Sequence, residues 1–432
     1  MTVGAPSARG SRDARRARAR EFGLFTASTV VYQAARFLFS VAAARSLVPE
    51  DFSAWALVIA LLVYSPSVLL GITNGMSREL PILMGRGNGE AADRTVAAAW
   101  TATIAAVTII LAGSVGVASG PGAASSSLLF GILASGTIVF GTQQFILRSR
   151  LRFDAASAQQ ATFGGLALVA AALLATNGDA NFATAAVLYG APMMAAVLLG
   201  VVLAPPPTAP RLDLMEMRRL AGIGFPIMLA GLVFSLFVTL DRWMAITLFG
   251  PGRAAPYALA SLVAAAMLVI PTVVSQQTYP RMAIARGRGA PAAELRGMAR
   301  HQGLVAVGLV APVAIVIILF AWLGLPVVLP RYVAATPPIV VLCLGFVVLG
   351  YLTGYGNYLN VAGGQWRYLM AQLVGVACAI GLMFVGGRLF GLLGIALGMA
   401  VSHVIYGVVL RVQALRTELV SDDPVASIDE HG

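Results

Sequence analysis

The stretch Gly222–Ala260 reads GIGFPIMLAGLVFSLFVTLDRWMAITLFGPGRAAPYALA. It is a long apolar helical run with Asp241-Arg242 toward its far end, then a Pro-containing turn, then the start of a second apolar run. The same plan occurs once before. Arg20–Leu57 holds an apolar helix with one internal arginine, the turn Leu47-Val48-Pro49, and Trp55-Ala56-Leu57 opening the next run. Laid side by side without gaps, Leu47 falls on Phe249, Pro49 on Pro251, Trp55 on Tyr257, and Ala56-Leu57 on Ala258-Leu259. Gly85-Arg86-Gly87-Asn88-Gly89 lands near Ala285-Arg286-Gly287-Arg288-Gly289 at almost the same offset. The chain reads as one unit used twice.

Composition agrees with a chain built from such runs. Of 432 residues, 59% are hydrophobic and 11% charged, and the mean hydropathy is +0.85. A soluble chain carries about a quarter charged residues. Segments of roughly 20 apolar residues, enough to cross ~30 Å of hydrocarbon, recur along the whole length. This predicts an all-α membrane protein. The short alternating strands of a barrel are absent from the pattern. The net charge is +11 and Arg supplies all of the Lys-plus-Arg count. These arginines sit in short loops between spans, which argues against nucleic acid as a partner. Cys343 and Cys378 lie far apart inside apolar runs, so neither a disulfide framework nor a metal pattern is expected.

Residues 1–20, with six arginines, read as a basic cytoplasmic tail. A signal peptide is the rival reading, because Ala42-Ala43-Ala44 resembles a cleavage site. Against it, the apolar run is long, contains Gln33 and Arg36, and is followed by further spans. Twelve spans are predicted at about 22–44, 53–74, 95–118, 126–147, 157–176, 182–204, 221–248, 255–278, 302–324, 336–360, 367–387 and 391–413. Pro205-Pro206-Pro207-Thr208-Ala209-Pro210 cannot continue a helix. It divides an N-terminal six-helix bundle (21–204) from a C-terminal one (221–415), with 205–220 as a cytoplasmic linker. The segment 416–432 is an acidic tail. With the N-terminus inside, 23 arginines fall on the inner side and four on the outer. That asymmetry predicts both termini in the cytoplasm.

The candidate functional residues are polar groups inside spans. Thr29, Tyr32, Gln33, Arg36 and Ser40 form one stripe on the first helix. A charge at mid-membrane costs roughly 2.5–3.5 kcal/mol on insertion scales, so Arg36 should face water or a partner. Two readings stay open for it: an anion-binding arginine lining a cavity, or a structural arginine paired inside one bundle. Asp241 and Arg242 point about 100° apart, so each needs its own partner. Arg36 is one candidate mate for Asp241; the alternative places the pair at the outer interface. Asn74 and Arg78 continue a stripe from Ser67 and Gly71 on the second span. Gln143, Gln144 and Arg148 end the fourth span, and Gln276, Gln277 and Arg281 close the eighth. Thr353, Asn357 and Asn360 share a face of the tenth span, and Gln372 lies in the eleventh. Any of these polar residues alone could simply bond helix to helix, whereas together they suggest a hydrated passage. His403 reads as a packed histidine or a proton-linked site. No catalytic set, nucleotide-binding sequence, cofactor motif or clustered metal-ligand pattern is present, so an enzyme is not expected.

The Arg-rich N-tail is followed by the turn Ala44-Arg45-Ser46-Leu47-Val48-Pro49-Glu50-Asp51-Phe52-Ser53-Ala54-Trp55. Its repeat runs through Gly224-Phe225-Pro226, Asp241-Arg242, Leu248-Phe249-Gly250 and Tyr257-Ala258-Leu259-Ala260. Together they resemble the Wzx-type polysaccharide flippases of the MOP superfamily, relatives of the lipid II flippases and the MATE exporters. The resemblance covers roughly residues 20–415. It implies two six-helix bundles related by a pseudo-twofold along the membrane normal, with a cavity between them that opens alternately to either side. It implies a polyprenyl pyrophosphate-linked glycan as substrate, moved from the inner to the outer leaflet of a bacterial cytoplasmic membrane. Membrane lipids and the glycosyltransferases or polymerase of the same pathway are the implied partners. It places Arg36, Asp241 and Arg242 as candidate substrate contacts, and the polar stripes add Gln33, Tyr32, Asn74, Arg78, Gln276 and Asn357 to the candidate set. Gln276-Gln277 stand where a further central arginine would strengthen pyrophosphate binding. A MATE-like ion-coupled exporter of drugs or metabolites is the alternative function, and it calls for an acidic, cation-attracting cavity.

Overall fold

A computed structural model of the chain describes residues 8–118, 124–177, 180–205, 212–328 and 330–419. It is helical throughout, with no strand among the described residues. The chain divides into two compact units. One comprises Met1–Pro81 and Asn88–Phe225; the other comprises Ile82–Gly87 and Pro226–Gly432.

The first unit is built on helices α1 (Ala8–Ser46), α2 (Pro49–Tyr64), α3 (Ile72–Gly85), α4 (Gly89–Ala118), α5 (Ala124–Ser149), α6 (Phe153–Thr176) and α7 (Phe182–Leu203). Helix α1 reaches back to Ala8, so residues 8–20 continue the helix of the first span. It packs most extensively on α6. Pro49 opens α2, where its missing N–H costs nothing. Asn181 caps α7 by accepting the Thr184 N–H, and the Asp51 carboxylate from α2 accepts the Phe182 N–H. The core is aromatic: Phe39, Trp55, Phe163 and Tyr189 are buried, with ring centroids 5.2–5.6 Å apart.

The second unit takes α8 (Leu214–Phe237) from Pro226 onward, then α9 (Leu240–Ala265), α10 (Val269–Gly287), α11 (Ala292–Leu319), the short α12 (Leu325–Val328), α13 (Thr336–Ala362) and α14 (Gln365–Arg416). Its core is made of smaller side chains around Phe237, Tyr257, Phe346 and Tyr358. Among the described residues, eleven helical stretches are long and apolar enough to cross a membrane. The last spans 52 residues and reverses at Gly391, whose φ of 63° and ψ of −142° are non-helical. Gly386 and Gly394 then meet backbone to backbone, with no room for a Cβ between the two arms. Split there, α14 makes two passes, and the total becomes the expected twelve.

The duplication holds at an offset of 202 residues. Val48, extended between α1 and α2, corresponds to Gly250, where α9 is interrupted at φ 76°. Gly87 (φ 73°) ends the α3 turn as Gly289 (φ 85°) ends the α10 turn. A 3₁₀ segment, Ser65–Leu69, recurs as Ala266–Leu268.

Two expected spans and the linker differ in detail. The span expected at 53–74 is broken: α2 stops at Tyr64, and Leu70 (φ 48°) and Gly71 (φ 84°) turn the chain before α3. Pro66, which lacks an amide donor, and the permissive Gly71 account for the interruption. The span expected at 221–248 breaks after Phe237. There the Thr239 hydroxyl donates to the Ser235 and Leu236 carbonyls, competing with the helical ladder. Leu214–Leu220, assigned in the sequence to the linker, are the first turns of α8. Residues 206–211 of the proline-rich segment and 420–432 of the acidic tail lie outside the described residues.

Candidate functional site

Arg36 lies on α1 inside the first unit. Its guanidinium sits over the Tyr32 ring, 5.5 Å from the centroid, and interacts with the Tyr189 hydroxyl on α7. Tyr32 is itself stacked on Phe140 at 5.6 Å. Arg36 makes no ion pair among the described residues. Its neighbours are aromatic faces and phenols, which hold a cation without neutralising it. It is partly exposed, and Gln33, one position round the helix, is exposed. The rest of the expected stripe divides. Thr29 is buried and donates to Gln160 at 2.9 Å, while Ser40 bonds back to the Arg36 carbonyl.

Asn74 and Arg78 both lie on α3, beyond the break that detaches them from Ser67. Asn74 is partly buried, and its carbonyl accepts from Ser77. Arg78 is only 3% exposed and forms an ion pair with Glu79. The other Glu79 oxygen accepts from Arg219 of α8 at 3.0 Å. Arg219 also grips Glu216 with two bonds of 2.8 and 2.7 Å, and Thr95 of α4 donates to Glu216 at 2.8 Å. This buried network ties α3, α4 and the start of α8 together within the first unit.

Asp241 and Arg242 stand at the break between α8 and α9. Asp241 is 2% exposed. Its Oδ1 accepts the Arg242 backbone N–H at 2.8 Å and its Oδ2 accepts the Tyr257 hydroxyl at 3.1 Å. The Arg242 Nε donates to Ser261 at 2.9 Å, and Ser261 in turn bonds the Asp241 carboxylate. The two side chains diverge as expected yet share Ser261, so Asp241 finds its partners inside the second unit. The offset of 202 makes Asp241 the counterpart of Phe39 and Tyr257 that of Trp55. A ring pair at 5.4 Å in the first unit is thus a carboxylate–phenol bond in the second. Replacing Tyr257 with Phe removes one of the donors to a buried carboxylate. It should cost about 2 kcal/mol, read as a lowered midpoint of thermal unfolding in detergent.

Gln276 and Asn357 belong to the second unit. Asn357 of α13 donates to Ser275 of α10 and to Gln302 of α11, both at 2.9 Å. Gln302 also donates to Thr353 at 3.3 Å. Gln276 is partly buried, and its Oε1 has no hydrogen-bond partner; nor has either polar atom of the buried Gln277.

The partners themselves escaped the sequence reading: Tyr189 for Arg36, Tyr257 and Ser261 for Asp241, Glu79 for Arg78, Gln302 for Asn357. A buried amide ladder in the first unit was half visible. Gln143 and Gln144 of α5 bond Gln159 and Gln160 of α6, and the paired Gln-Gln dipeptides were its only signal. His403 is fully buried against Phe237 and Phe346, each 5.2 Å away, with neither ring nitrogen hydrogen-bonded. Among the described residues no group of His, Cys, Asp and Glu is placed to hold a metal ion.

No known family model matches the sequence, and no curated protein is similar to it. Solved structures are. The Vibrio cholerae MATE transporter VcmN superposes with a TM-score of 0.77 at 16% identity, covering 92% of this chain and 95% of that one. The fold is that of the MATE transporters. A multidrug-resistance MATE family transporter of the MOP superfamily, in an outward-facing conformation, gives 0.76 at 15% identity over 95% of this chain and 97% of that one. A MATE in the straight conformation gives 0.77 at 15% identity over 92% and 94%. The MATE fold extends over nearly the whole chain, and it establishes a multi-pass helical membrane protein.

Proposed function

We propose that the chain is an alternating-access exporter whose cargo is a polyprenyl pyrophosphate-linked oligosaccharide, moved from the inner to the outer leaflet of a bacterial cytoplasmic membrane. Both termini lie in the cytoplasm, as the placement of the arginines supports. One observation carries the choice of cargo: Arg36 is an intramembrane cation that no carboxylate among the described residues neutralises, set among aromatic groups and partly exposed. An uncompensated cation inside a span marks a path for negative charge. A guanidinium meets a phosphate oxygen pair with two parallel bonds. Gln33, next to it and exposed, offers an amide to sugar hydroxyls. Arg242 contributes less charge, because Asp241 lies beside it through Ser261. Arg78 acts in the buried network and not on cargo.

A second reading is export of small organic cations, coupled to an ion gradient. Asp241 favours it: a carboxylate at a helix break is the group such cargo seeks. Purified protein in vesicles decides between the two. Under the first reading it should render a pyrophosphate-linked saccharide accessible to a membrane-impermeant lectin, and should move no fluorescent organic cation. Cation export without saccharide translocation would replace the first reading with the second.

A further inference from the structure

The second unit holds a pocket at the junction of α13 and α14. Helix α13 ends at Ala362, where Gly363 turns the chain at φ 91°. Helix α14 starts at Gln365, reverses at Gly391 and returns to Arg416, so its first and last turns lie side by side. The Arg367 Nη1 donates to the Thr417 hydroxyl at 2.8 Å and to the Arg416 carbonyl at 3.4 Å. Behind them the Tyr358 hydroxyl donates to the Thr417 carbonyl at 2.7 Å, fixing the floor. The cavity measures about 520 Å³ and is lined by Gly364, Trp366, Arg367, Arg416, Thr417 and Glu418 among others. Two arginines and one glutamate are among the lining residues, a net positive charge.

We infer that this pocket binds the phosphate headgroup of an anionic membrane lipid. Two arginines from opposite ends of one helical hairpin suit a phosphodiester. The volume is ample for a glycerophosphate group. The neighbouring surface identifies the anion as lipid-borne. Trp366, 56% exposed, stands at the pocket's edge, and Met370, Leu373, Ile380 and Phe384 continue from it at helical spacing, all exposed. An acyl chain attached to a headgroup in the pocket would lie along that stripe. Tryptophan at this position matches its preference for the boundary between headgroups and hydrocarbon. Basic pockets between helices at that boundary are where anionic headgroups are held. The site lies wholly within the second unit and does not involve Arg36 or Gln33, so it is separate from cargo recognition.

Native mass spectrometry of the full chain in a neutral detergent tests this, titrated in turn with short-chain phosphatidylglycerol, short-chain phosphatidylcholine and inorganic phosphate. One equivalent of phosphatidylglycerol should bind, more tightly than phosphatidylcholine. Arg416→Gln should weaken it about fivefold, and Arg367→Gln with Arg416→Gln about 30-fold. Arg416 is exposed, so its single variant keeps the test intact if the double variant fails to fold. Unchanged affinity in Arg416→Gln would overturn the assignment. Inorganic phosphate displacing the lipid at equal concentration would make the pocket a free-anion site and overturn it as well.

Discussion

Arg36→Ala should reduce translocation of the pyrophosphate-linked saccharide about 100-fold while leaving the folded protein intact. The size follows from two charge-assisted hydrogen bonds to phosphate at about 1.5 kcal/mol each, together about 3 kcal/mol. Folding is spared because Arg36 anchors no carboxylate; its contacts are the Tyr32 ring and the Tyr189 hydroxyl. Removing an uncompensated charge from a span relieves an insertion penalty of roughly 2.5–3.5 kcal/mol. Thermal stability in detergent should therefore hold or rise. Arg36→Lys should retain part of the activity, since it keeps the charge and loses the bidentate geometry. Saccharide translocation at the wild-type rate in Arg36→Ala would remove the basis of the proposed function. A drop in both stability and transport would make Arg36 a structural residue.

Glu79→Ala should have the opposite signature, destabilising the protein by about 3–5 kcal/mol. Glu79 serves two arginines, and Arg78 beside it is 3% exposed. Without the carboxylate, the buried Arg78 guanidinium loses this ion pair. Breaking one partner of a buried pair costs far more than replacing both. Glu79→Leu combined with Arg78→Leu should accordingly recover most of the loss. Arg219→Ala, at a side chain 43% exposed, should cost about 1 kcal/mol or less. Unfolding midpoints of the four proteins check the series. Equal destabilisation by Glu79→Ala and the double leucine variant would mean that packing volume at this site, and not charge, holds α3 to α8.

The contrast between these two arginines shows how far a one-dimensional reading extends. Both were singled out as intramembrane or near-membrane cations on polar stripes. The adjacent Glu79 is a local difference between Arg78 and Arg36, whereas the bond to Glu79 from Arg219, 140 residues away, is a tertiary event. The same holds for Asp241, whose acceptor role toward Tyr257 depends on α9 folding back at Gly250. The two helix breaks were legible only in retrospect. Pro66 with Gly71, and Thr239 beside Val238, are ordinary residues in apolar spans, and their effect depends on what packs around them.

Hydropathy and periodicity determined the helical class, the number of membrane passes and the doubling of one unit. Burial in hydrocarbon requires every backbone group to bond within its own segment, so each apolar run of sufficient length becomes a helix wherever it packs. The turns at Leu47–Pro49 and Phe249–Pro251 were equally local, set by proline and glycine. Only the tertiary structure decided which charges are neutralised and which remain. Compensation depends on immediate neighbours, as Glu79 is to Arg78, and on side chains that remote helices bring up, as Arg219 comes to Glu79, and only the first is encoded along one helix. Arg36 keeps its charge because its neighbours are Tyr32, one turn back on its own helix, and Tyr189 from α7, with no ion-pair partner among the described residues.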